Sequence, residues 1–304
     1  MKRKAILVIL LVSVLSLSLW AQASAEAPIT GTMVPGDTLT EKLAWLQRSA
    51  DSHNTYIMEI SANENIAPHS FEYTGAINIT IVLRGDEENR TLRLRSHGTM
   101  FTINRDVTFV LDNNITLHGH SGNNRPMVNV SGGTFRMRAG STITGNPNSG
   151  DGGGVYLSNG TFEMSGGTIS NNTANSGGGV HIGYGGTFTM SGGTISGNTA
   201  GHGGGVFLPR YSSATFNMRG GTITANTARE YGGGVCAWGA FNKTGGTITG
   251  YNTDQDEGNV VRDADDQILA RRGHAAFVSE TQRRETTAGA RVNLSAANNT
   301  NWGQ

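Results

Sequence analysis

Residues able to carry out acid/base chemistry are sparse in the middle of this 304-residue chain. From residue 131 to residue 253 the acidic residues are Asp151, Glu163 and Glu230. Cleavage of a glycosidic bond by acid/base catalysis needs two carboxyl groups that face one substrate. Asp151 and Glu163 fall in different copies of a repeat and at different corners or faces of it. The sequence therefore predicts no such pair and disfavours a hydrolase or a lyase.

Histidine and cysteine residues give little sign of a metal site. His118 and His120 are two residues apart, so on a strand they would share a face and could bind a metal ion. A metal site needs further ligands, and His202 is expected about three repeats away, roughly 14 Å. Cys236 is the only cysteine and is predicted to be a packed thiol. We therefore predict no metal site, no cofactor and no disulfide.

Hydroxyl residues form the most regular polar pattern. They flank an isoleucine in five successive repeats, so two rows of side chains should leave one face of a sheet. The expected spacings are about 4.8 Å between strands and about 6.6 Å along a strand. The pattern is similar to the Thr-x-Thr lattices of ice-binding solenoids and would also suit sugar hydroxyls, although threonine is favoured on any exposed sheet. The candidate surface residues are Thr142, Thr144, Thr168, Ser170, Thr194, Ser196, Thr222, Thr224, Thr247 and Thr249.

A repeat positions these side chains. Six phenylalanines recur at intervals of 26, 27, 26, 28 and 25 residues, and columns of isoleucine and valine recur with the same period. Apolar partners two residues on indicate short strands with one buried face. Glycine pairs, asparagine and glycine triplets separate the strands and permit the backbone angles of sharp corners. The phenylalanines are Phe109, Phe135, Phe162, Phe188, Phe216 and Phe241.

Three strands and three corners in each repeat predict one coil of a parallel β-solenoid, with about eight coils in all. Leucine-rich, ankyrin and tetratricopeptide arrays need a helix in each repeat, and these repeats lack a 3.6-residue apolar pattern. A propeller blade is longer, at roughly 40 residues. The 44 glycines have no Gly-X-Y period, which excludes collagen and suits a chain that turns three times in each coil.

The repeat reads T-F-x-M-(S/R)-G-G-T-I-(S/T)-x-N-T-A, followed by G-G-G-V. It closely resembles a family of secreted bacterial right-handed parallel β-helix proteins. It is also similar to the Gly-Gly repeats of polymorphic outer-membrane proteins and, more distantly, to the pectate-lyase-like fold. The resemblance is clearest over residues 99–253. It implies a single-stranded right-handed parallel β-helix, in line with the usual hand of parallel crossovers, and little about activity.

Two short motifs resemble parts of one enzyme family. The Gly-His-Gly at His202 resembles that of polygalacturonases, and Asp265-Asp266 resembles their paired aspartates. In this chain, however, the aspartates follow the histidine instead of preceding it. His202 also aligns with Asp151, Ser176 and Tyr231 of other repeats, which marks a variable position at a turn. We therefore interpret His202 as a turn residue and predict no catalytic residue.

The first 25 residues are predicted to be a secretory signal peptide. Three basic residues at 2–4 precede an apolar run at 5–20, and small residues at 23–25 mark a cleavage site before Glu26. The protein is thus expected in the periplasm, on the cell surface or outside the cell. No second apolar run is long enough to span a membrane. The 23 basic and 23 acidic residues balance, which disfavours binding to nucleic acid.

The remaining chain is expected to be an N-terminal cap followed by the β-helix. Residues 26–55 form the predicted cap, with a helix at about 38–50 whose Thr38 and Glu41 make a capping box. Residues 56–304 form the predicted β-helix, with regular repeats at 107–253, a charged loop inserted at 254–273 and a terminal coil at 274–304. A ladder of stacked, hydrogen-bonded asparagines is expected at one corner, formed by Asn146, Asn172, Asn198 and Asn226.

Three functions stay open at this point. The first is a non-catalytic secreted or cell-surface scaffold for adhesion, whose partner is a glycan or another cell-surface component. The second is a polysaccharide-acting lyase or hydrolase that uses His202 and the 254–273 loop. The third is an ice- or crystal-face binder that uses the hydroxyl residues. The scarcity of paired acidic residues favours the first function, and the oligomeric state is not indicated.

Overall fold

Over its described residues the chain winds into a parallel β-solenoid of about eight turns with one α-helix at the N-terminal end. The computed structural model describes residues 26–73, 75–210, 212–251, 258–269 and 273–278, together with a two-residue strand at 302–303. Three long parallel sheets, here called sheets A, B and C, contain nine, eight and nine strands. The predicted all-β parallel solenoid is confirmed, and its right-handed sense stays a prediction.

Each long sheet takes one strand from each successive coil. Sheet A consists of Thr32–Met33, Thr55–Ile60, Ile79–Gly85, Val107–Leu111, Thr134–Met137, Thr161–Met164, Thr187–Met190, Thr215–Met218 and Ala240–Lys243. Sheet B consists of Glu64–Ile66, Arg90–Leu94, Ile115–His118, Ser141–Thr144, Thr168–Ser170, Thr194–Ser196, Thr222–Thr224 and Thr247–Ile248. Sheet C consists of His69–Phe71, Phe101–Asn104, Val128–Ser131, Val155–Ser158, Val180–Ile182, Val206–Leu208, Val235–Ala237, Ala276–Val278 and Trp302–Gly303.

A fourth sheet, sheet D, departs from the predicted scheme of three strands per coil. It consists of Thr173–Ser176, Thr199–His202, Thr227–Tyr231 and Val260–Val261. These segments were expected to be corners, but Ala174, Ala200 and Ala228 lie one above the other and point inward. In each of these three strands a buried alanine lies between two more accessible residues, which is the alternation of a strand, so the chain is extended there.

The interior holds the predicted columns of apolar side chains. Phe162, Phe188 and Phe216 are fully buried and stacked, with ring centroids 4.6 Å and 4.8 Å apart. Register partners in sheet B place each isoleucine of its column over the next, and the valines of sheet C stack in the same way. Each large side chain removed from water contributes about 2 kcal/mol, and the repetition along the axis makes this the dominant stabilising term.

The predicted asparagine ladder is present and longer than expected. The backbone N–H of Asn172 donates to Oδ1 of Asn198, and that of Asn198 donates to Oδ1 of Asn226, both at 3.0 Å. Two further asparagines extend the ladder. The side-chain amide of Asn123 donates to Oδ1 of Asn146, and that of Asn226 donates to Oδ1 of Asn259, both at 2.8 Å. All of these side chains are buried, so the ladder satisfies polar groups inside the solenoid.

The charged insertion expected at 254–273 needs correction where the structure describes it. Asn259 belongs to the asparagine ladder, and Val260–Val261 pairs with Thr227–Ala228 in sheet D. A small hairpin follows, in which Arg262 bridges Ile268. Residues 258–261 are therefore part of a coil. Residues 252–257 and 270–272 lie outside the described part of the chain.

The terminal coil was expected to resume at Ala276 and Val278 and to continue at Val292 and Leu294. Ala276–Val278 forms the expected strand of sheet C, and both of its predicted inward residues are buried. Val292 and Leu294 lie outside the described residues. The end of the predicted β-helix therefore stays a prediction.

The N-terminal cap agrees with the predicted helix. The helix spans Leu39–Ser49, and Thr38 and Glu41 form the capping box. Leu39, Leu43 and Leu46 join the apolar core of the first coil. The predicted signal peptide at 1–25 lies outside the described residues. Within the described part of the chain no helix has the length and apolar character needed to cross a membrane.

Candidate functional site

The ten predicted hydroxyl residues lie together on the outward side of sheet B, here called the hydroxyl face. Each isoleucine between them is fully buried, while the hydroxyl residues themselves are half-buried. Register partners in successive coils keep both rows straight. The first row is Thr142, Thr168, Thr194, Thr222 and Thr247, and the second row is Thr144, Ser170, Ser196, Thr224 and Thr249.

The two rows of the hydroxyl face differ in their hydrogen bonding. In the second row, Oγ of Ser170 donates to Oγ1 of Thr144 at 3.4 Å, and Oγ1 of Thr249 donates to Oγ1 of Thr224 at 2.7 Å. In the first row, from Thr142 to Thr247, no hydroxyl forms a hydrogen bond with another side chain among the described residues. The first row therefore presents hydroxyl groups that can donate to a ligand and accept from it.

The rows continue toward the N-terminal end with a change of chemistry. Thr116 extends the first row, whereas His118 and then Arg93 extend the second. Arg93 is exposed, and no acidic side chain of the described residues pairs with it. The hydroxyl face thus borders a cationic end that would favour an acidic group on a ligand.

The histidines considered as metal ligands do not assemble a complete site. Nδ1 of His118 lies 2.8 Å from the carbonyl oxygen of Gly119. The ring of His120 faces that of His97, with centroids 5.2 Å apart. Among the described residues no group of three possible metal ligands occurs.

Three of the acidic residues considered for catalysis lie on two separate parts of the surface. Glu163 forms the predicted ion pair with Arg136, at 2.7 Å on the outward side of sheet A. Asp266 lies near Arg229 and Arg262, at 3.5 Å and 3.8 Å. Asp265 lies in the same hairpin, and its backbone N–H donates to Asp263. These exposed pairs are typical surface ion pairs.

A second face, on the outward side of sheet C, was missed by the sequence analysis. We call it the aromatic face; its outward row is Tyr156, His181, Phe207, Cys236 and Phe277. His181 and Phe207 are 5 % and 9 % exposed although they point away from the core. The sequence did contain a sign of this face: in these coils the residue that follows the first valine of each sheet C strand is large or apolar.

Corner residues cover the aromatic face and explain its burial. Asp151, Ser176, His202 and Tyr231 are partners in successive coils, as the alignment of the repeats predicted. The ring of His202 stacks parallel to that of Tyr231, and Tyr231 lies against Phe277 with centroids 4.8 Å apart.

Two histidine–carboxylate pairs lie at this corner. Nδ1 of His181 is 3.9 Å from Asp151, and Nε2 of His202 is 3.6 Å from Glu230. Burial lowers the pKa of His181, while the Asp151 charge opposes that shift. His181 is therefore a neutral imidazole at pH 7, able to donate one hydrogen bond and accept another.

Cys236 is packed, as predicted. Its side chain is fully buried beside Phe207 and Phe277, and burial raises the pKa of its thiol. A thiol that stays protonated at neutral pH is a poor nucleophile. Cys236 therefore contributes packing to the aromatic face and no reactive group.

Comparison of the chain with protein-family models, with curated proteins and with solved structures gives no match. The geometry of the two outward faces is thus what bears on function. The hydroxyl face is repetitive, flat and free of charge over five coils. The aromatic face is irregular, apolar and rimmed by acidic residues.

Proposed function

We propose that this protein is an exported, non-catalytic β-solenoid scaffold that binds a glycan or a similar hydroxyl-rich cell-surface component through the hydroxyl face. The observation that carries the proposal is the first row of threonines, which repeats without interruption from Thr142 to Thr247. The signal-like sequence at 1–25 supports export. The repeat sequence supports membership of the secreted bacterial right-handed parallel β-helix proteins.

The proposed contacts are many and individually weak. A hydrogen bond to a surface hydroxyl contributes about 0.5–1.5 kcal/mol after the loss of water is counted. A ligand that extends over several coils adds such contacts at a regular spacing of about 4.8 Å. The solenoid holds the hydroxyls in place before binding, so little conformational entropy is lost. Arg93 and His118 would add contacts to an acidic group at one end of the rows.

A second function, a polysaccharide-acting enzyme, is favoured by one observation. His202 lies 3.6 Å from Glu230, so a possible acid and a possible base are neighbours, slightly beyond hydrogen-bond distance. Against it, each carboxylate of the aromatic face lies beside a histidine, and no pair of carboxylates facing one another is found in the described coils. The scaffold function is therefore the better supported.

The experiment that tests the scaffold proposal is affinity electrophoresis through gels containing polygalacturonate, alginate or cellulose derivatives. We expect the mature protein to be retarded by at least one of these polymers. The double variant Thr168→Val/Thr194→Val removes two central hydroxyls at nearly constant shape and should migrate faster in that gel. The matched control Thr161→Val/Thr187→Val changes the same residue type in the same coils on sheet A and should be retarded like the wild type.

Turnover and ice binding are measured on the same samples. Release of reducing or unsaturated ends that disappears in His202→Ala would replace the scaffold proposal with the enzyme. Thermal hysteresis that disappears in Thr168→Val/Thr194→Val, without any retardation by polysaccharide, would replace it with an ice binder. Equal retardation of both double variants would refute the role of the hydroxyl face.

A further inference from the structure

The aromatic face combines features that the other outward faces lack. Along sheets A and B the outward residues of the regular coils are mainly threonine, serine and asparagine. On sheet C the same positions hold aromatic rings in contact: Tyr156 stacks on His181 at 4.9 Å, and His181 contacts Phe207 at 5.1 Å. Trp238 contacts Phe277 at 5.0 Å. The corner residues cover most of this ring surface, and the half-buried rings of Tyr156 and Trp238 leave part of it open to solvent.

Polar atoms beside these rings lack partners in the described structure. Nδ1 of His181, Oδ1 of Asp151 and Nδ1 of His202 are shielded from solvent and form no hydrogen bond. His181 is 95 % buried, since its exposed fraction is 5 %. A shielded polar group without a partner costs about 1–3 kcal/mol. Three such atoms at one corner therefore indicate a place where a polar ligand would be stabilised.

The local backbone packs closely against the hydroxyl end of Tyr156. Gly183 follows the His181 strand, and a Cβ atom there would lie 3.0 Å from the hydroxyl of Tyr156. The absence of a side chain at Gly183 lets the Tyr156 ring keep this position. Tyr156 and Trp238 are half-buried, so part of each ring reaches solvent.

Charge restricts the ligand class. Asp151 and Glu230, with side chains 41 % and 61 % exposed, rim the face and would repel an anion. The guanidinium of Arg210 lies over the Trp238 ring at 4.9 Å, so a cation would be repelled at that ring. A neutral ligand that has apolar ring faces and hydroxyls at its edge meets both conditions.

We propose that the aromatic face is a binding site for a neutral saccharide, separate from the hydroxyl face. One apolar face of a sugar ring packs on the half-buried ring of Tyr156, as in aromatic-lined ligand sites. Oδ1 of Asp151 accepts a hydrogen bond from a sugar hydroxyl, and the ring nitrogens of His181 and His202 donate or accept according to their tautomers. The corner that presents these groups is set by the register of sheet D.

The proposal is tested by isothermal titration calorimetry of the mature protein with cellotriose, maltotriose and the trimer of N-acetylglucosamine. We expect saturable binding of at least one trisaccharide. His181→Phe should weaken it at least tenfold because it removes the imidazole nitrogens, and Asp151→Asn should weaken it at least tenfold because it exchanges a charged acceptor for a weaker neutral one. The uronate trimer of galacturonic acid should bind at least tenfold more weakly than the best neutral trisaccharide.

Two controls separate this proposal from the scaffold function. Thr168→Val/Thr194→Val should leave trisaccharide binding unchanged, because those threonines lie on sheet B. Thermal unfolding of each variant shows whether it is folded, and Asp151→Asn, at an exposed corner, serves if His181→Phe is destabilised. No saturable binding of any neutral trisaccharide, or binding that both aromatic-face variants retain in full, overturns the proposal. Preferred binding of the uronate overturns the ligand class.

Discussion

The asparagine ladder supports a quantitative prediction for the variant Asn198→Ala. The side chain of Asn198 is fully buried and makes four hydrogen bonds of 2.9–3.1 Å. It accepts from the backbone N–H and the side-chain amide of Asn172, and it donates to Ile169 and Asn226. Alanine can make none of these bonds.

The expected loss follows from the groups that remain. Two buried donors of Asn172 lose their acceptor in Asn198→Ala, and a buried unsatisfied polar group costs about 1–3 kcal/mol. The free energy of unfolding should therefore decrease by about 2–6 kcal/mol. Asn175→Ala is the matched control, because Asn175 is exposed on sheet D and its backbone N–H bond to Gly150 is kept. That control should change the stability by at most about 0.5 kcal/mol.

The assay is urea unfolding followed by far-ultraviolet circular dichroism on the wild type and both variants. For a slope of about 3 kcal/mol per molar urea, Asn198→Ala should lower the midpoint by about 0.7–2 M. Asn175→Ala should have the same urea midpoint as the wild type. If the two variants have the same midpoint, the ladder does not stabilise the coil and the reasoning is wrong.

The remaining predictions concern the core, the C-terminal corner and the N-terminal segment. Phe188→Ala leaves a cavity in a stacked column and should cost about 3–5 kcal/mol in chemical unfolding, whereas Thr189→Ala on the outward side should be nearly neutral. Burial lowers the pKa of His274 to about 4, below its unfolded value of about 6.5. The stability it contributes is thus complete above pH 6.5 and is lost as the pH falls toward 4; His274→Gln should flatten that part of a plot of melting temperature against pH. The carboxylate of Glu26 pairs with Arg138, so Glu26→Gln should speed proteolysis at residues 26–31; the melting temperature of the coils should not change, because Arg138 keeps its ion pair with the buried Asp112.

The parts of the fold that repeat could be predicted from the sequence. Phe162, Phe188 and Phe216 share a residue type and a spacing, and stacking on the next coil is the arrangement that buries all three. The hydroxyl rows follow from the same register. The helix at Leu39–Ser49 is local, and its capping box is visible in the sequence.

The parts that do not repeat could not be predicted in the same way. Asn259 joins the ladder 33 residues after Asn226, because the last described coil contains an insertion that breaks the period. Sheet D depends on alanine, whose small size gives a weak strand signal. The outward residue of the aromatic face differs from coil to coil. In an alignment of the repeats this position therefore resembles an unconstrained surface position. Its contacts, such as His202 with Glu230, depend on how corner side chains lean over the neighbouring strand.

The register of the hydroxyl face is the central claim, and a pair of cysteines tests it most directly. Ser170 and Ser196 are register partners, so their Cα atoms lie about 5 Å apart, within the range that a disulfide spans. We predict that Ser170→Cys/Ser196→Cys forms an intramolecular disulfide on mild oxidation. Thr168→Cys/Ser196→Cys, with Cα atoms about 8 Å apart, should stay reduced. Bridging of the second pair in preference to the first would contradict the alignment of the coils and, with it, the proposed binding surface.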